Sequence, residues 1–199
     1  TYFSSQKFRY LSEVTWLADG RSVLVLAGER SGAGNIWQIS YPTGEAQKIT
    51  NDSNGYSGIS LTADSNLLAA LQGTNSDQGT TSWTFPTGIT NIWIAPINDA
   101  ARVSQVTSGS DRNFRPSWTR DGKMVYVKDS GGNIDLYLVD PRGGSPRQLT
   151  LNSGSNDYPA VSPDGRFIVF TSNRTGASSI WRMDIDGSNP TQLTSKRDF

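Results

Sequence analysis

Carboxylates, hydroxyls and indoles are the groups with which this 199-residue chain could do chemistry, because histidine and cysteine are both absent. Without histidine there is no Ser-His-Asp triad, no imidazole base and no imidazole metal ligand. Without cysteine there is no thiolate nucleophile and no disulfide framework. No Gly-x-Ser-x-Gly elbow occurs, and the kinase catalytic motifs are missing too. Gly32-Ala33-Gly34 begins like a phosphate-binding loop, but Trp37 stands at the third glycine position. Asp184-x-Asp186-Gly187-x-Asn189 begins like a calcium loop. Its middle ligand is missing, its glycine is misplaced, and no bidentate glutamate follows at the right distance. Two of the 18 acids facing each other across a cleft would suit glycoside hydrolysis, yet nothing in the sequence brings a pair together. The residues predict a chain with no catalytic residue, no cofactor and no metal site.

What does recur is a pattern. Its cleanest copy runs Pro159-x-x-Ser162-Pro163-Asp164-Gly165, then the apolar run 167–170, Ile180-Trp181, Asp186-Gly187 and Gln192-Leu193-Thr194. An earlier copy has Pro116-x-Trp118, Asp121-Gly122, the run 124–127, Leu136-Tyr137 and Gln148-Leu149-Thr150. The first has Trp16, Asp19-Gly20, the run 23–26, Ile36-Trp37 and Ile49-Thr50; the second is degenerate, with Asp64-Ser65, the run 67–71, Ile92-Trp93 and Val106-Thr107. The closing threonines are 57, 43 and 44 residues apart. From the turn aspartate to the following aromatic the gaps are 18, 29, 16 and 17, which places about a dozen extra residues inside the second copy.

A period of about 40–45 residues with several short strands per unit is the sequence form of a propeller blade, which buries its faces only against its neighbours. Each copy reads as four strands. Strand A precedes the Asp-Gly turn, strand B is the apolar run, strand C carries the aromatic, and strand D closes on threonine. Strand B lacks alternation because both faces are expected to be covered. Asp-Gly and Gly-Gly suit the A–B and C–D hairpins because both tolerate positive φ. The expected fold is therefore all-β: a propeller of four-stranded antiparallel blades, four in this chain, with repeats at residues 9–50, 51–107, 108–150 and 151–194. The repeated tryptophans 16, 37, 93, 118 and 181 read as core, and aspartates 19, 121 and 164 as turn formers whose carboxylates cap backbone N–H groups.

The pattern Pro-x-Trp, Asp-Gly, Ile-Tyr/Trp, Asp-Gly, Gln-Leu-Thr resembles the WD40-like (PD40) repeat of TolB-type propellers. Phrases in the first half, residues 36–42, 49–52 and 60–64, resemble the C-terminal propellers of bacterial, acidobacterial-type serine/threonine kinases. That resemblance implies the sensory or interaction part of a receptor-like regulator, periplasmic or otherwise extracytoplasmic. The absence of cysteine by itself fits any compartment. Residues 196–199, Lys-Arg-Asp-Phe, resemble Asp111-Arg112-Asn113-Phe114 ahead of the third strand A, which implies that residues 1–199 are part of a larger propeller, able to self-associate if its ring is incomplete.

Lysine plus arginine equals aspartate plus glutamate at 18 each, so no net field favours nucleic acid or an anionic membrane, and no apolar run approaches a membrane span. The remaining candidates sit in loops. The excursion over residues 73–90 carries Trp83 and Phe85 outside the repeat pattern; it is either a drifted loop folded on its own blade or a partner-binding loop. In four-stranded meanders the B–C and D–A connections share a face, which sets this excursion beside Arg112, Asn113 and Asp157. The expected partner on that face is a protein, a peptide or a cell-wall component. The alternatives are a propeller that gates substrate for a prolyl-oligopeptidase-like peptidase, or a carbohydrate-binding propeller.

Overall fold

The computed structural model describes residues 8–29, 34–51, 55–73 and 88–194, which hold sixteen β-strands and no helix. The chain divides into two compact units, Thr1–Ser108 and Gly109–Phe199. In the first, β1 (Phe8–Trp16), β2 (Ser22–Glu29), β3 (Gly34–Ser40) and β4 (Ala46–Lys48) pair antiparallel in chain order. β5 (Tyr56–Leu61), β6 (Leu67–Gly73), β7 (Thr90–Pro96) and β8 (Ser104–Gln105) form a second meander of the same kind. The second unit repeats the arrangement with β9 (Arg112–Trp118), β10 (Met124–Ser130), β11 (Asn133–Val139) and β12 (Arg147–Gln148). It ends with β13 (Asn156–Val161), β14 (Phe167–Ser172), β15 (Ser179–Asp184) and β16 (Thr191–Gln192).

The apolar runs lie at the centre of each meander. Leu24, Leu26 and Ile36 pack against Leu68 and Ala70, while Val25, Ala27 and Trp37 form a cluster on the opposite face of β2 and β3 with Phe8 and Ile39. In β10, Met124, Val125, Tyr126 and Val127 are all buried, so neither face meets water. β14 differs: Ile168 and Phe170 are buried, but their neighbours alternate with them as half-buried residues. Full burial of such a side chain stabilises by about 1.5–3 kcal/mol, and the central strands therefore carry most of the fold's hydrophobic term.

Trp16 corrects an expectation. Trp37 and Trp181 are buried, but Trp16 is 56% exposed, with its ring edge-on to the equally open Tyr41 at 6.0 Å. β1 has no fully buried residue, because among the described strands only β2 pairs with it.

Two of the three turn aspartates behave as the sequence predicts: Asp19 and Asp164 accept backbone N–H bonds from Arg21 and Arg166 at 2.8 and 3.1 Å, as Asp64 does from Asn66 at 3.0 Å. Asp121 instead accepts the Lys123 ammonium at 2.7 Å, and the Lys123 N–H goes to the Thr119 hydroxyl. Hydroxyls of Thr62, Thr119 and Ser162 donate to Asp64, Asp121 and Asp164 at 2.7, 2.5 and 2.6 Å. These bonds favour the ionised form and hold the three carboxyls below the ordinary range, with Lys123 the leading cause at Asp121.

The closing threonine is a latch. Thr50, Thr107, Thr150 and Thr194 each accept, at Oγ1, the N–H of a residue near the start of strand C, the second to the fourth: Ile36, Ile92, Leu136 and Ile180, at 2.9–3.0 Å. Three of these hydroxyls also donate to the preceding side chain, Asn35 at 3.0 Å, Asn91 at 3.2 Å and Asp135 at 2.6 Å. A two- or three-residue strand D could not hold by ladder bonds alone, and the hydroxyl supplies the missing fastening.

Candidate partner-binding site

Every strand A is broken at one residue in left-handed backbone. The residues are Glu13, Gly58, Arg115 and Tyr158, with φ of 48, 59, 52 and 53°. A register shift accompanies each one, which marks β-bulges. Positive φ is uncommon outside glycine, so three non-glycine cases at one repeat position are a feature the surrounding structure sustains. At Gly58 the glycine is dictated twice, by its φ and because an added Cβ would collide with Leu71 Cδ1.

The bulges re-aim side chains onto the bulge that follows. In the first unit the Glu13 carboxylate accepts the N–H groups of Gly58 and Ile59 at 2.9 and 2.8 Å. In the second, Arg115 reaches forward to the bulge of β13. Its guanidinium lies 3.3 Å from the ring centroid of Tyr158, and its Nε is 3.3 Å from Asp157 Oδ1. The same oxygen accepts the Tyr158 N–H at 2.7 Å. Burial pushes the Asp157 carboxyl up, partly offset by that N–H and by the Arg115 charge. Tyr158 itself is 59% exposed. An open aromatic ring backed by a guanidinium and a half-buried carboxylate is thus fixed at the start of β13. The bulge spacing matches the repeat, and Arg115 and Tyr158 directly precede the repeat prolines Pro116 and Pro159, a signal the sequence reading left unused.

The other expected residues sit at the same end of these strands. Arg112 opens β9 and pairs with Asp129 of β10. Beside it Lys128 bonds Asp111 at 2.9 Å, and that bond holds the Asp111 carboxyl low. Asn113 is buried at 2% exposure and donates to the Asp111 carbonyl at 3.4 Å, which makes it part of the platform and not a contact for a partner. Trp83 and Phe85 lie outside the described residues. Behind these residues a buried polar chain stiffens the strand ends. Asn156 Nδ2 donates to Asp135 Oδ1 at 3.2 Å, and Arg174 donates to Asn156 Oδ1 at 3.0 Å while its guanidinium lies over Trp181. Among the described residues no three acidic, histidine or cysteine side chains converge as a metal site would need.

What this arrangement offers is recognition: an aromatic–cation pair, charged groups already paired, and rigid backing. Residues 76–198 match the TolB beta propeller domain (PD40). The chain is 30% identical over 164 residues to the protein TolB homolog of Chlorobium luteolum, covering 82% of this chain and 34% of that protein. It is 24% identical over 160 residues to the uncharacterized peptidase YuxL of Bacillus subtilis, covering 80% of this chain and 21% of that one. Among solved structures it superposes on the putative TolB from Agrobacterium tumefaciens with a TM-score of 0.76 at 24% identity, covering 94% of this chain and 62% of the other. The chain spans no more than about a third of these two curated relatives.

Proposed function

Because the chain belongs to the TolB β-propeller (PD40) family, we propose that it is a non-catalytic protein- or peptide-binding module whose recognition surface includes the strand-A bulge at Arg115 and Tyr158. The observation that carries this is the exposed Tyr158 ring stacked on Arg115 beside Asp157. Tyrosine and arginine are the residue types in which interface energy concentrates, and a rigid bulge presents them with little ordering cost. Arg112 extends the surface along β9, and Trp83 and Phe85 of the excursion at 73–90 are further candidate contacts. The four meanders are four blades of a larger propeller in this reading, with repeats at 9–50, 51–107, 108–150 and 151–194.

Selection of displayed peptides against the purified chain tests the proposal. Enriched peptides should lose at least tenfold in affinity on Tyr158→Ala or Arg115→Ala with the fold intact. Peptides that bind both variants as well as the parent would place recognition elsewhere.

The more specific form of the proposal makes this the extracytoplasmic sensory part of a bacterial receptor-type regulator, and its support is the sequence resemblance of residues 36–42, 49–52 and 60–64. A second reading has the propeller gating substrate for a peptidase domain, and similarity to the peptidase YuxL favours it. Assaying the full-length protein for peptide hydrolysis separates the two: turnover that accelerates when Tyr158 is truncated belongs to gating.

A further inference from the structure

The third meander has the shortest link between its second and third strands. β10 ends at Ser130 and β11 starts at Asn133, so two glycines suffice, where the other three meanders use four, sixteen and six residues. Gly131 and Gly132 both take positive φ, 64 and 98°, which closes the turn tightly and leaves the space beside it unfilled. A cleft of about 460 Å³ results, bounded on its far side by residues 151–155 and Asn173. That volume lies within the range of small-molecule sites.

The lining is polar and almost uncharged. Amides come from Asn133, Gln148, Asn152 and Asn173, hydroxyls from Ser130, Ser153 and Ser155, and a half-exposed ring from Tyr137. No lysine or arginine lines it. The one charged group is Asp135 at the floor, where the first, second and fourth meanders carry Asn35, Asn91 and Ser179. Its carboxylate is held in place by Thr150, Asn156 and Gln148 at 2.6, 3.2 and 3.1 Å. The far wall is fixed as well: Asn173 Oδ1 accepts the Ser155 N–H at 2.7 Å and presses against Gly154, where a Cβ would not fit. At the rim, the Asn133 and Asn152 side chains make no hydrogen bond to any described residue and are exposed.

We infer that this cleft binds a neutral saccharide unit. A side-chain amide offers a donor and an acceptor a fixed distance apart, which matches adjacent sugar hydroxyls that each donate and accept. A buried carboxylate accepts hydroxyl donors and repels an anionic ligand. Phosphates and uronic acids would meet no cation here. An extended peptide would need apolar walls for its side chains, and Leu151 with the Tyr137 ring is all the cleft provides. Asp135 also backs the Arg115–Tyr158 site through Asn156. Neither Arg115 nor Tyr158 lines the cleft, however, and the rim residues Asn133 and Asn152 lie outside that polar chain, so the two proposals stand or fall separately.

The test is calorimetric titration of the chain with N-acetylglucosamine oligomers and cellobiose as neutral probes. A uronic-acid dimer, inorganic phosphate and a tripeptide serve as contrasts. At least one neutral probe should bind saturably, and the contrasts should not displace it. Asn133→Ala combined with Asn152→Gly, which keeps the positive φ at 152, should weaken that binding at least tenfold with unchanged melting. If the double variant folds poorly, Asn133→Ala alone, at an exposed position, should still weaken it severalfold. Asp135→Asn copies the residue of the first two meanders and should fold, yet bind the sugar more weakly. Absence of binding by every neutral probe, displacement by an anion or the tripeptide, or full affinity in the rim variants would overturn the inference.

Discussion

The guanidinium of Arg115 lies 3.3 Å from the ring centroid of Tyr158, and both residues hold left-handed backbone. Such a conformation costs on the order of 1–3 kcal/mol at each non-glycine residue. The cation–π stack, of about 0.5–2 kcal/mol, and the ion pair to Asp157 offset part of that cost locally. Neighbouring strands supply the rest, because the bulged register is fixed on both sides of each break.

Tyr158→Gly should therefore be more stable than Tyr158→Ala by about 1–2 kcal/mol, since glycine alone adopts positive φ without the Cβ clash. Denaturant unfolding of the two variants measures the difference. Equal stabilities would mean that residue 158 does not hold left-handed backbone in solution.

Thr150→Val keeps the shape of the side chain and removes the latch. The Leu136 N–H loses its side-chain partner, and Asp135 Oδ1 is left with Asn156 as its donor. The expected loss is about 1–3 kcal/mol. Thr150→Ser, which keeps the hydroxyl, should restore most of it, and thermal melting compares the three proteins.

Gly58→Ala should destabilise by roughly 2–4 kcal/mol, combining a left-handed Cβ with a collision against Leu71. Leu71→Ala alone opens a cavity in the first unit. In the double variant the two losses should fall short of additive, because the truncated Leu71 leaves room for the new methyl. A double-mutant cycle reads this directly.

The carboxyls should titrate in two directions. Bonds to Arg142 pull Asp140 down to about 2, and local hydroxyls and N–H groups hold Asp64, Asp164 and Asp186 low. A folded pKa below the unfolded one adds stability above the unfolded value and loses it as pH falls through the folded value. Acid should thus weaken the fold through these turns between about pH 4 and pH 2. Asp157 has the opposite sign: its folded pKa is raised, so its ionisation opposes folding as pH rises through the window above its unfolded value. Carbon-13 titration of the carboxyl groups should find Asp157 above the ordinary value and Asp140 far below it.

The repeat, the strand content and the turn chemistry were legible because Asp-Gly dipeptides and apolar runs state their backbone needs in residue type. The threonines were legible as markers but not as latches, since the sequence does not show that Thr150 and Asp135 converge. Bulges were hidden for a physical reason: Glu13, Arg115 and Tyr158 are not turn residues, and what holds them at positive φ is the pairing on both sides. Trp16 was misread because periodicity reports position within a blade and is silent about whether a neighbour covers it. The cleft beside Gly131 and Gly132 was invisible for the same kind of reason, being a gap left by a short link between two strands.

The bulge of β13 also bears on what the edge of its sheet offers to another chain. A straight edge strand would offer an unbroken row of N–H and C=O groups onto which another chain could add, the first step towards fibrils. Here the row is interrupted at Tyr158, where the strand takes left-handed backbone, and again at Pro159, which has no N–H to give. The distortion that exposes the Tyr158 ring thus doubles as a guard against unwanted sheet extension. Straightening it, for example by replacing residues 158–159 with a β-branched pair, restores the unbroken row and with it an indiscriminately adhesive edge.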